Sequence, residues 1–325
     1  MARTPAPGHR MLDIIGVGDS DVDVMIKVDH IPGHDEKVRG TLLGKFPGGI
    51  IGNFCSAAAK FGALTGIATV VGDDEYGRLC REDYLARGLD MRGVVVRGDA
   101  ATYFCIVHLD DSGEKALTLI ETPLLVPRPE DVDLEYIRGC RYLHLTSLDF
   151  ELLRFITLRV AGSVSVSFDI EAHTDQSSLA KWEEVIPKAR TVFINEAGLK
   201  ALMGSEDLAG SARRIVGMGP DAVIVTRGAL GSMVFTAGQQ FVQPAFAVPV
   251  KDTTGAGDCF NAVFLSCLAA GQALEQACLR GTAAAALAIQ SVGSRTSFPS
   301  RAQVESFLSS HAPGEPETGR GNVRA

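Results

Sequence analysis

Several features that would assign a protein to a familiar class are missing from this sequence. No apolar run is long enough to span a bilayer. Basic side chains are in the minority, with 31 Lys and Arg against 39 Asp and Glu, a net charge of −8 and a pI near 5.4. This balance argues against a general nucleic-acid or membrane-surface binder. We therefore expect neither nucleic acid nor membrane among the partners.

Cysteines are few and scattered. The seven cysteines form no C-x-x-C pair and no cluster with histidine, which disfavours a zinc site or a disulfide framework. An odd, dispersed set is typical of reduced, buried thiols in a cytosolic protein. Residues 1–10 also lack the apolar core of a signal peptide, so a cytoplasmic location is expected. Residues 1–10 and 312–325 are predicted to be disordered, the latter because they are rich in glycine, proline and charge.

Two nucleotide-binding patterns are absent as well. No G-x-G-x-x-G follows the first predicted strand, which disfavours a Rossmann dehydrogenase, and no Walker A pattern occurs, which argues against a P-loop kinase. Aromatic residues make up only 6% of the chain, but 46% of it is hydrophobic. That is enough core for one large α/β domain with a smaller appendage, or for two domains.

Strand-like and helix-like patterns alternate along most of the chain. Apolar runs typical of buried strands occur at 11–18, 142–146, 164–170, 192–195 and 222–226. Repeated βαβ units of this kind predict an α/β fold with three layers (α/β/α), in which helices cover a mostly parallel central sheet. This main body is assigned to residues 11–20, 46–95 and 121–311.

Other runs alternate between polar and apolar residues and predict a second, smaller sheet. They lie at 19–28, 36–43, 101–109 and 115–120. In the first run, Asp21, Asp23 and Lys27 share one side of the strand, and the last two runs are joined by a hairpin-like segment. Four half-exposed strands in two separated places predict a lid, formed by residues 21–45 and 96–120, whose polar side could cover a site.

The segment from Asp252 to Asp258, DTTGAGD, carries the clearest chemical signal. It lies between an extended run and a helix predicted from about residue 258 to 270. The small residues Gly255, Ala256 and Gly257 leave backbone N–H groups bare, and a helix start adds unpaired N–H groups and a positive dipole end. Such a place suits a phosphate, and Asp258 adds a carboxylate for transfer of a phosphoryl group to an alcohol. The alternative is that Asp258 only N-caps the helix.

Polar residues at the ends of several predicted strands support an active site there. In parallel sheets, ligands bind beyond the carboxyl ends of the strands. The polar residues and segments at those ends are 19–23, Ser147, Asp169, 195–196, 226–228 and 252–258. Their convergence on a glycine-rich loop favours an active site over chance.

With these residues in view, the sequence from about residue 11 to residue 308 resembles the ribokinase-like (PfkB) family of carbohydrate kinases. An early segment combines Gly48, Gly49 and Asn53 with an alanine-rich helix and the pattern GDDEYG at 72–77. A late segment, 252–258, matches the second signature of the family without a mismatch. The segment VTRGALG at 225–231 is similar to the nucleotide-side hairpin of that family.

The resemblance implies an ATP-dependent carbohydrate kinase with the lid over its sugar. Asp258 would be the catalytic base, and the amides of Gly255, Ala256 and Gly257 would hold the transferring phosphoryl group. Two further sets of residues would bind the substrates. The sugar-binding residues would be Asp21, Asp23, Gly48, Gly49 and Asn53. The nucleotide-binding residues would be Asn195, Thr226, Gly228, Gly231 and Gly293.

The same resemblance implies the ions and the assembly. Asp252 and Thr254 would hold a monovalent cation, usually potassium, and ATP would bind with Mg²⁺. A homodimer formed through the lid is also in keeping with the family. Where members usually have N-x-x-E, whose Glu acts through water on magnesium, this chain has Asn195-Glu196-Ala197-Gly198. Glu196 is adjacent, but on a helix it would point elsewhere.

Two further departures concern the substrate side. Glu171 and His173 stand where many members have Asn and Arg, and Ser147 occupies the region where ribose-specific members carry a carboxylate. The first departure touches phosphate and metal handling, and the second argues against ribose. The acids and the amide of the predicted pocket suit neutral hydroxyls, whereas a phosphorylated sugar would call for clustered Arg and Lys.

The chemistry of the base can be anticipated from its position. An alcohol has a pKa of about 15.7, whereas a carboxylate at a helix N-terminus is expected at ~4 or lower. Asp258 therefore cannot remove the proton beforehand. In a loose phosphoryl-transfer transition state it orients the hydroxyl and captures the proton late. Loss of such a group costs roughly 10²–10⁴-fold in rate.

Two other functions stay open from the sequence. A nucleoside kinase would need an apolar wall for its base, for which Phe46, Tyr103 and Phe104 are available on the lid. A non-catalytic sugar or nucleotide sensor on the same fold is supported only by the missing Glu at position 198, and the intact Gly-Ala-Gly-Asp segment counts against it.

Overall fold

The computed structural model describes residues 11–111, 114–171 and 179–311 of the chain. Three predictions fall outside these described residues. They are the disorder of residues 1–10 and 312–325, the role of His173, and the middle of the hairpin-like segment at 110–114.

Thirteen strands are present in the described residues. The strands are β1 (Leu12–Val17), β2 (Asp21–Val28), β3 (Gly40–Gly48), β4 (Thr65–Gly72), β5 (Asp90–Arg97), β6 (Phe104–Leu109), β7 (Lys115–Ile120), β8 (Cys140–Thr146), β9 (Ser165–Ile170), β10 (Ala189–Asn195), β11 (Ala222–Thr226), β12 (Ser232–Phe235) and β13 (Gln240–Gln243).

Ten α-helices accompany them in the same described ranges. The helices are α1 (Ile50–Phe61), α2 (Glu75–Ala86), α3 (Leu134–Ile137), α4 (Phe150–Val160), α5 (Leu179–Trp182), α6 (Glu196–Met203), α7 (Leu208–Val216), α8 (Ala256–Ala269), α9 (Leu274–Ala288) and α10 (Arg301–Ser310). Within the described part of the chain, every helix is too short or too polar to cross a membrane.

The main sheet has nine strands in the order β13-β12-β11-β10-β9-β8-β1-β4-β5. The strands from β11 to β5 in that order pair in parallel, and β12 and β13 add an antiparallel edge. Successive side chains of β1 enter opposite layers: Ile14 joins a core with α1, α8 and α9, and Ile15 joins one with α4, α6 and α7. The predicted α/β/α fold with a mostly parallel sheet is confirmed.

The second sheet has four strands in the order β3-β2-β6-β7, which confirms the predicted small sheet. The predicted strand at 36–43 is wrong in its bounds, because β3 runs from Gly40 to Gly48 and pairs with β2 so that Gly48 lies opposite Asp21. Phe46, Pro47 and Gly48 resemble a turn, but β3 lies at the sheet edge, where a proline needs no N–H donor. Pairing with β2, rather than local composition, sets where this strand ends.

Candidate active site

The strand ends and two helix starts meet at one edge of the main sheet. Helix α8 begins at Ala256, inside the glycine-rich segment and two residues before the predicted start, and its N-cap is Gly255 with φ 77°. A Cβ on Gly255 would press against the carbonyl of Ser294, so this position requires a residue without a side chain. The first turn of α8 contains Gly257 and Asp258, whose amides belong to the helix end that lacks intrahelical acceptors. The loop is therefore suited to an anion.

Asp258 is the third residue of α8, and its role is not that of a cap. Its Oδ2 accepts a hydrogen bond from Asn53 Nδ2 at 2.9 Å, across 205 positions of the chain. The N-cap is Gly255 without a side-chain hydrogen bond, so the interpretation of Asp258 as a mere N-cap is wrong. The side chain is half-buried and connects the start of α8 to the start of α1.

The acidity of Asp258 differs from the expectation drawn from its position on the helix. Burial raises its pKa well above the usual range, and the charges of Asp169, Glu171 and Asp19 act in the same direction, against the hydrogen bond from Asn53. The expected value of ~4 or lower was wrong because burial among acids from other strands outweighs the helix N-terminus.

Asp21 and Asp23 extend from β2 towards the same region. In the part of the chain that the structure describes, Asp21 Oδ1 is a buried acceptor with no hydrogen-bond donor. Burial raises the pKa of Asp21 well above its usual range, with further contributions from Asp23 and Asp19. Asp23 Oδ1 accepts a weak hydrogen bond from the Cys105 thiol at 3.3 Å. Burial raises the pKa of Asp23 as well. These acceptors are suited to hydroxyl donors from a ligand.

Gly48 and Gly49 make room for these acids. A Cβ on Gly48 would overlap Asp21 Oδ1 and crowd the Asp23 carboxylate, and Gly49 has φ 87° and lies against the backbone of Asp19 and Ser20. Asp19 itself caps α1, since its carboxylate accepts from the amides of Ile50 (2.7 Å) and Ile51 (3.2 Å). The sequence placed Asp19 at a strand end but did not reveal this capping role.

Four of the five predicted nucleotide-side residues lie at the carboxyl ends of β10 and β11 or in the turn that follows β11. Asn195 and Thr226 are register partners on β10 and β11, and the turn that contains Gly228 leads to Gly231. Asn195 Oδ1 accepts from Gly198 N at 2.7 Å and so caps α6. Gly231 has φ 85°, and a Cβ there would overlap the backbone of the neighbouring strand at Gln243.

Glu196 does not lie free for a metal. It forms ion pairs with Lys200 and Arg227, both at 3.1 Å, and these contacts give no support to the predicted magnesium role. Among the described residues, no group of three or more His, Cys, Asp or Glu could hold a metal ion. A magnesium ion that enters with a nucleotide would not need such a group, because it is usually bound by phosphate oxygens and waters with one or two carboxylates.

Asp252 and Thr254 are adjacent, and a lysine from the lid contacts both. Asp252 Oδ1 accepts from Thr254 Oγ1 (2.6 Å) and Asp252 Oδ2 from Gly293 N (3.0 Å). Lys115 Nζ lies 3.3 Å from Asp252 Oδ1 and 2.5 Å from Thr254 Oγ1. Burial acts to raise the pKa of Asp252, but these hydrogen bonds outweigh it and bring the pKa to about 2. Sequence reasoning did not find Lys115, since nothing local marks it.

Arg295 is the largest omission of the sequence analysis. It is 6% exposed and donates to the side chains of Asn53 and Asp83. The only local signal is a charged residue among small and apolar ones, which does not distinguish a buried arginine from an exposed one.

Asp169 and Asn261 form a further polar pair near Asp258. Asn261 Nδ2 donates to Asp169 Oδ2 at 2.8 Å, and burial, followed by the charge of Glu171, raises the pKa of Asp169 to about 8. Since the pKa of Asp169 is higher in the folded than in the unfolded protein, folding takes up a proton at pH values between the two pKa values. The free energy of unfolding therefore decreases as pH rises towards 8.

We expect Asp169→Asn to remove this loss of stability. The ligand-free variant should have a higher Tm than wild type at pH 8 and a flatter decline of Tm between pH 5 and pH 8. The effect should be a few kcal/mol, because each pKa unit corresponds to about 1.4 kcal/mol. Thermal unfolding across a pH series measures it, with the exposed Asp221→Asn as control. Equal slopes in both variants and wild type would contradict the prediction.

Comparisons with known proteins agree with this geometry. The family model described as pfkB family carbohydrate kinase matches residues 11–301. The chain is 32% identical over 305 residues to the ATP-dependent ribose-1-phosphate kinase of Halopiger xanaduensis (92% of this chain, 99% of the relative). It is 30% identical over 304 residues to the fructokinase of Salmonella typhimurium (87% and 95%).

Solved structures show the same fold. The ribokinase of Arabidopsis thaliana, in complex with ribose and ATP, superposes with a TM-score of 0.80 at 23% identity and covers 92% of this chain and 99% of its own. A putative ribokinase II from E. coli, in complex with ATP and Mg²⁺, gives a TM-score of 0.79 at 21% identity (92% and 100%).

Proposed function

The chain belongs to the pfkB family of carbohydrate kinases, and on that premise we propose that Asp258 is the base of its phosphoryl transfer. As a member, it is an ATP-dependent kinase that phosphorylates a hydroxyl group of a small sugar or related compound. The observation that carries the assignment is the contact between Asp258, at the start of α8, and Asn53, at the start of α1. It joins the anion loop to the sugar side.

The proposed mechanism divides the work between two groups of residues. Asn53 holds Oδ2 of Asp258, so that Oδ1 can receive the hydrogen bond of the sugar hydroxyl. The raised pKa makes Asp258 a better proton acceptor near neutral pH than an ordinary aspartate. The amides of Gly255 and Gly257 receive the transferring phosphoryl group at the positive end of α8, and the Ala256 amide joins them when it leaves the carbonyl of Thr253, 3.2 Å away. When bound with ATP, magnesium would neutralise charge on the phosphates.

The proposed ATP site lies at the carboxyl ends of β10 and β11. We propose that Asn195, Thr226, Gly228 and Gly231 approach the nucleotide there, and that Gly293 closes over its base. Support comes from the register pairing of Asn195 with Thr226 and from the left-handed conformations of the glycines. Glycine permits a backbone to approach a ligand closely.

The proposed acceptor is a neutral sugar or polyol. Asp21 Oδ1 is an unpartnered buried acceptor in the described part of the chain, and hydroxyl groups are donors that can satisfy it. A phosphorylated sugar would need cations, but the nearby Arg295 donates to Asn53 and Asp83, and Lys115 contacts Asp252. Ser147 has a hydroxyl where ribose-specific members have a carboxylate, and this hydroxyl accepts a hydrogen bond from Glu171 N at 2.9 Å. The position therefore offers no carboxylate to ribose.

A nucleoside substrate is the second candidate, and one observation bears on it. Phe46 lies opposite Asp23 in the β2–β3 register, on the same face, and is 36% exposed, so it could wall a base. Phe104 packs on Tyr76 with ring centroids 5.2 Å apart, and Tyr103 is 6% exposed. Of the three aromatic residues named from the sequence, Phe46 is therefore the one exposed on the Asp23 face.

A substrate panel tests the proposal. D-fructose, D-ribose, ribose-1-phosphate, aminoimidazole riboside and adenosine are assayed for ADP release with ATP, Mg²⁺ and K⁺, and the products are identified by mass spectrometry. We expect the highest kcat/KM for a neutral sugar, with ribose low. A preference for ribose-1-phosphate or a nucleoside would overturn the substrate class, and binding without turnover of any compound would favour the sensor.

We further propose that Asp252 and Thr254 hold a monovalent cation, for which their oxygens are suited. The ammonium of Lys115 contacts both oxygens, so ion binding requires the lysine to move away. Potassium should raise the rate severalfold over sodium or choline at fixed ionic strength, and by a larger factor in Lys115→Met. Lys45→Met, which removes a lid lysine bonded to Glu75, is the control. Equal rates in all three salts for the wild type and both variants would contradict the proposed cation site.

The lid and the assembly are proposals as well. We propose that the four-stranded sheet closes over the sugar and that two copies meet through it. Exposed apolar side chains on β3 and β7, namely Leu42, Leu43, Leu117 and Leu119, support a covered surface there. The seven cysteines are free and buried, which supports the proposed cytoplasmic location.

A further inference from the structure

Arg295 is a buried arginine whose donors are distributed over three elements. Nε donates to Asn53 Oδ1 on α1 at 2.8 Å, and Nη1 donates to Asp83 Oδ2 on α2 at 2.7 Å. Nη2 donates to the carbonyl of Gly48 at the end of β3. The guanidinium also lies 5.4 Å from the ring centroid of Tyr84. A buried charge of this kind is tolerated because each side of its planar fork has a partner.

Arg295 determines which way the Asn53 amide faces. Arginine carries only donors, so the oxygen of the amide must face Arg295 and its NH₂ group must face away. That NH₂ group donates to Asp258 Oδ2 at 2.9 Å. A continuous chain of hydrogen bonds therefore runs from Asp83 through Arg295 and Asn53 to Asp258. Without the arginine, the amide could rotate and leave the base unheld.

The segment that carries Arg295 also contacts the phosphate side. Gly293 N donates to Asp252 Oδ2, and the carbonyl of Ser294 lies against Gly255 of the anion loop. Three consecutive residues thus contact the proposed cation site, the anion loop and the sugar pocket.

We propose that Arg295 is a positioning residue of the phosphoryl transfer, which directs the Asn53 amide at Asp258 and holds the Gly48 end of the lid strand to α1. The proposal rests on the proposed roles of Asp258 and Asn53. A second consequence concerns charge, because Arg295 binds the carbonyl of Gly48, and the carboxylates of Asp21 and Asp23 lie against that glycine. The guanidinium favours the ionised forms of Asp19, Asp21 and Asp23, which can accept hydroxyl donors.

Other titratable groups also act on Arg295, Asp21 and Asp23, and they stay in place in the Arg295 variants. The groups around the guanidinium, besides the three acids, are Cys55, Cys80, Asp83 and Tyr84. The groups that act on Asp21 and Asp23 from facing elements are Cys105, Lys115, Asp252, Asp258 and, near Asp21, Tyr103. Only Arg295 and Lys115 among them are cations that favour the ionised acids.

The test compares Arg295→Met with Arg295→Lys, using ATP and the panel sugar with the highest kcat/KM. In Arg295→Met, kcat should fall roughly ten- to a hundredfold, in the range for a lost positioning contact, and the KM for the sugar should rise. The acidic limb of kcat/KM should move to higher pH, because Asp21 and Asp23 lose a cation. Arg295→Lys should keep the acidic limb but not kcat, since one ammonium cannot span the three acceptors.

Controls separate positioning from folding. Arg280→Met removes a partly buried arginine that pairs with Glu305 at 2.7 Å between α9 and α10, and it should retain wild-type kinetics. Thermal unfolding and calorimetry with ADP and Mg²⁺ verify that each variant folds and binds nucleotide. If Arg295→Met does not fold, Arg295→Lys decides alone.

The outcomes distinguish this inference from the proposed function. Wild-type kcat in Arg295→Lys, or an Arg295→Met variant with unchanged kcat and pH profile, would overturn the positioning role. A shared loss in Arg280→Met would show a general effect on folding and would also overturn it. If Asp258→Asn retained turnover, the proposed base would be wrong, whatever the Arg295 variants do.

Discussion

Replacing Asp258 with asparagine is expected to lower kcat at least about a hundredfold while folding and nucleotide affinity stay nearly intact. The carboxylate lies at the start of α8, beside the anion loop, and is held by Asn53. Asparagine keeps the size of the side chain and can still accept from Asn53, but it cannot take up the proton of the hydroxyl. Rates with the best panel sugar, Tm and ADP binding by calorimetry measure the effect.

The pH dependence adds a second readout for Asp258. Burial raises its pKa well above the usual aspartate range, and only the deprotonated form accepts a proton. The wild-type kcat should therefore fall as pH decreases through a value higher than that of an ordinary aspartate. The matched control is Asp207→Asn, in an N-cap of α7 that asparagine can still provide. If Asp258→Asn kept most of its turnover, Asp258 would be a structural residue and not the base.

Replacing Asp23 with alanine is expected to weaken apparent sugar affinity roughly ten- to a hundredfold, because a charge-assisted hydrogen bond contributes about 1.5–3 kcal/mol. The carboxylate shares a face of β2 with Asp21, and its contact in the structure is a weak one with the Cys105 thiol at 3.3 Å. A pair of sugar hydroxyls is a better partner, and a substrate without them would be rejected. The KM for ATP should hardly change, because the proposed nucleotide side lies at β10 and β11.

The control for Asp23 lies on the same strand. Lys27 was expected on the same side of β2 as Asp23, and it lies at the far end of that strand, where it forms an exposed ion pair with Asp111 at 2.8 Å. Lys27→Ala should leave both KM values unchanged, since exposed pairs contribute little. An unchanged sugar KM in Asp23→Ala, or a loss shared equally with ATP, would mean that this face does not hold the sugar.

Much of the fold follows from short-range patterns in the sequence. The apolar runs predict the parallel strands because each such strand is buried on both faces, and the small sheet follows from alternation on β2 and β7. Short-range patterns fail where the pairing between strands sets the end of a strand. The end of β3 at Gly48 is set by its register with Asp21, and a strand that ends in Phe46-Pro47-Gly48 has no local signal for this.

The sequence by itself determined the anion loop, because Gly255, Gly257 and the start of α8 are neighbours in the chain and their backbone freedom is a local property. Tertiary structure alone decided what surrounds Asp258 and the loop before it. Asn53 lies 205 positions away from it, Arg295 lies 242 positions from Asn53, and Lys115 lies 137 positions from Asp252. The acidity of Asp258 depends on burial and on acids from other strands, which outweigh the helix dipole next to it. Contacts of this range arise only when the sheet brings distant strand ends together, so no local pattern can encode them.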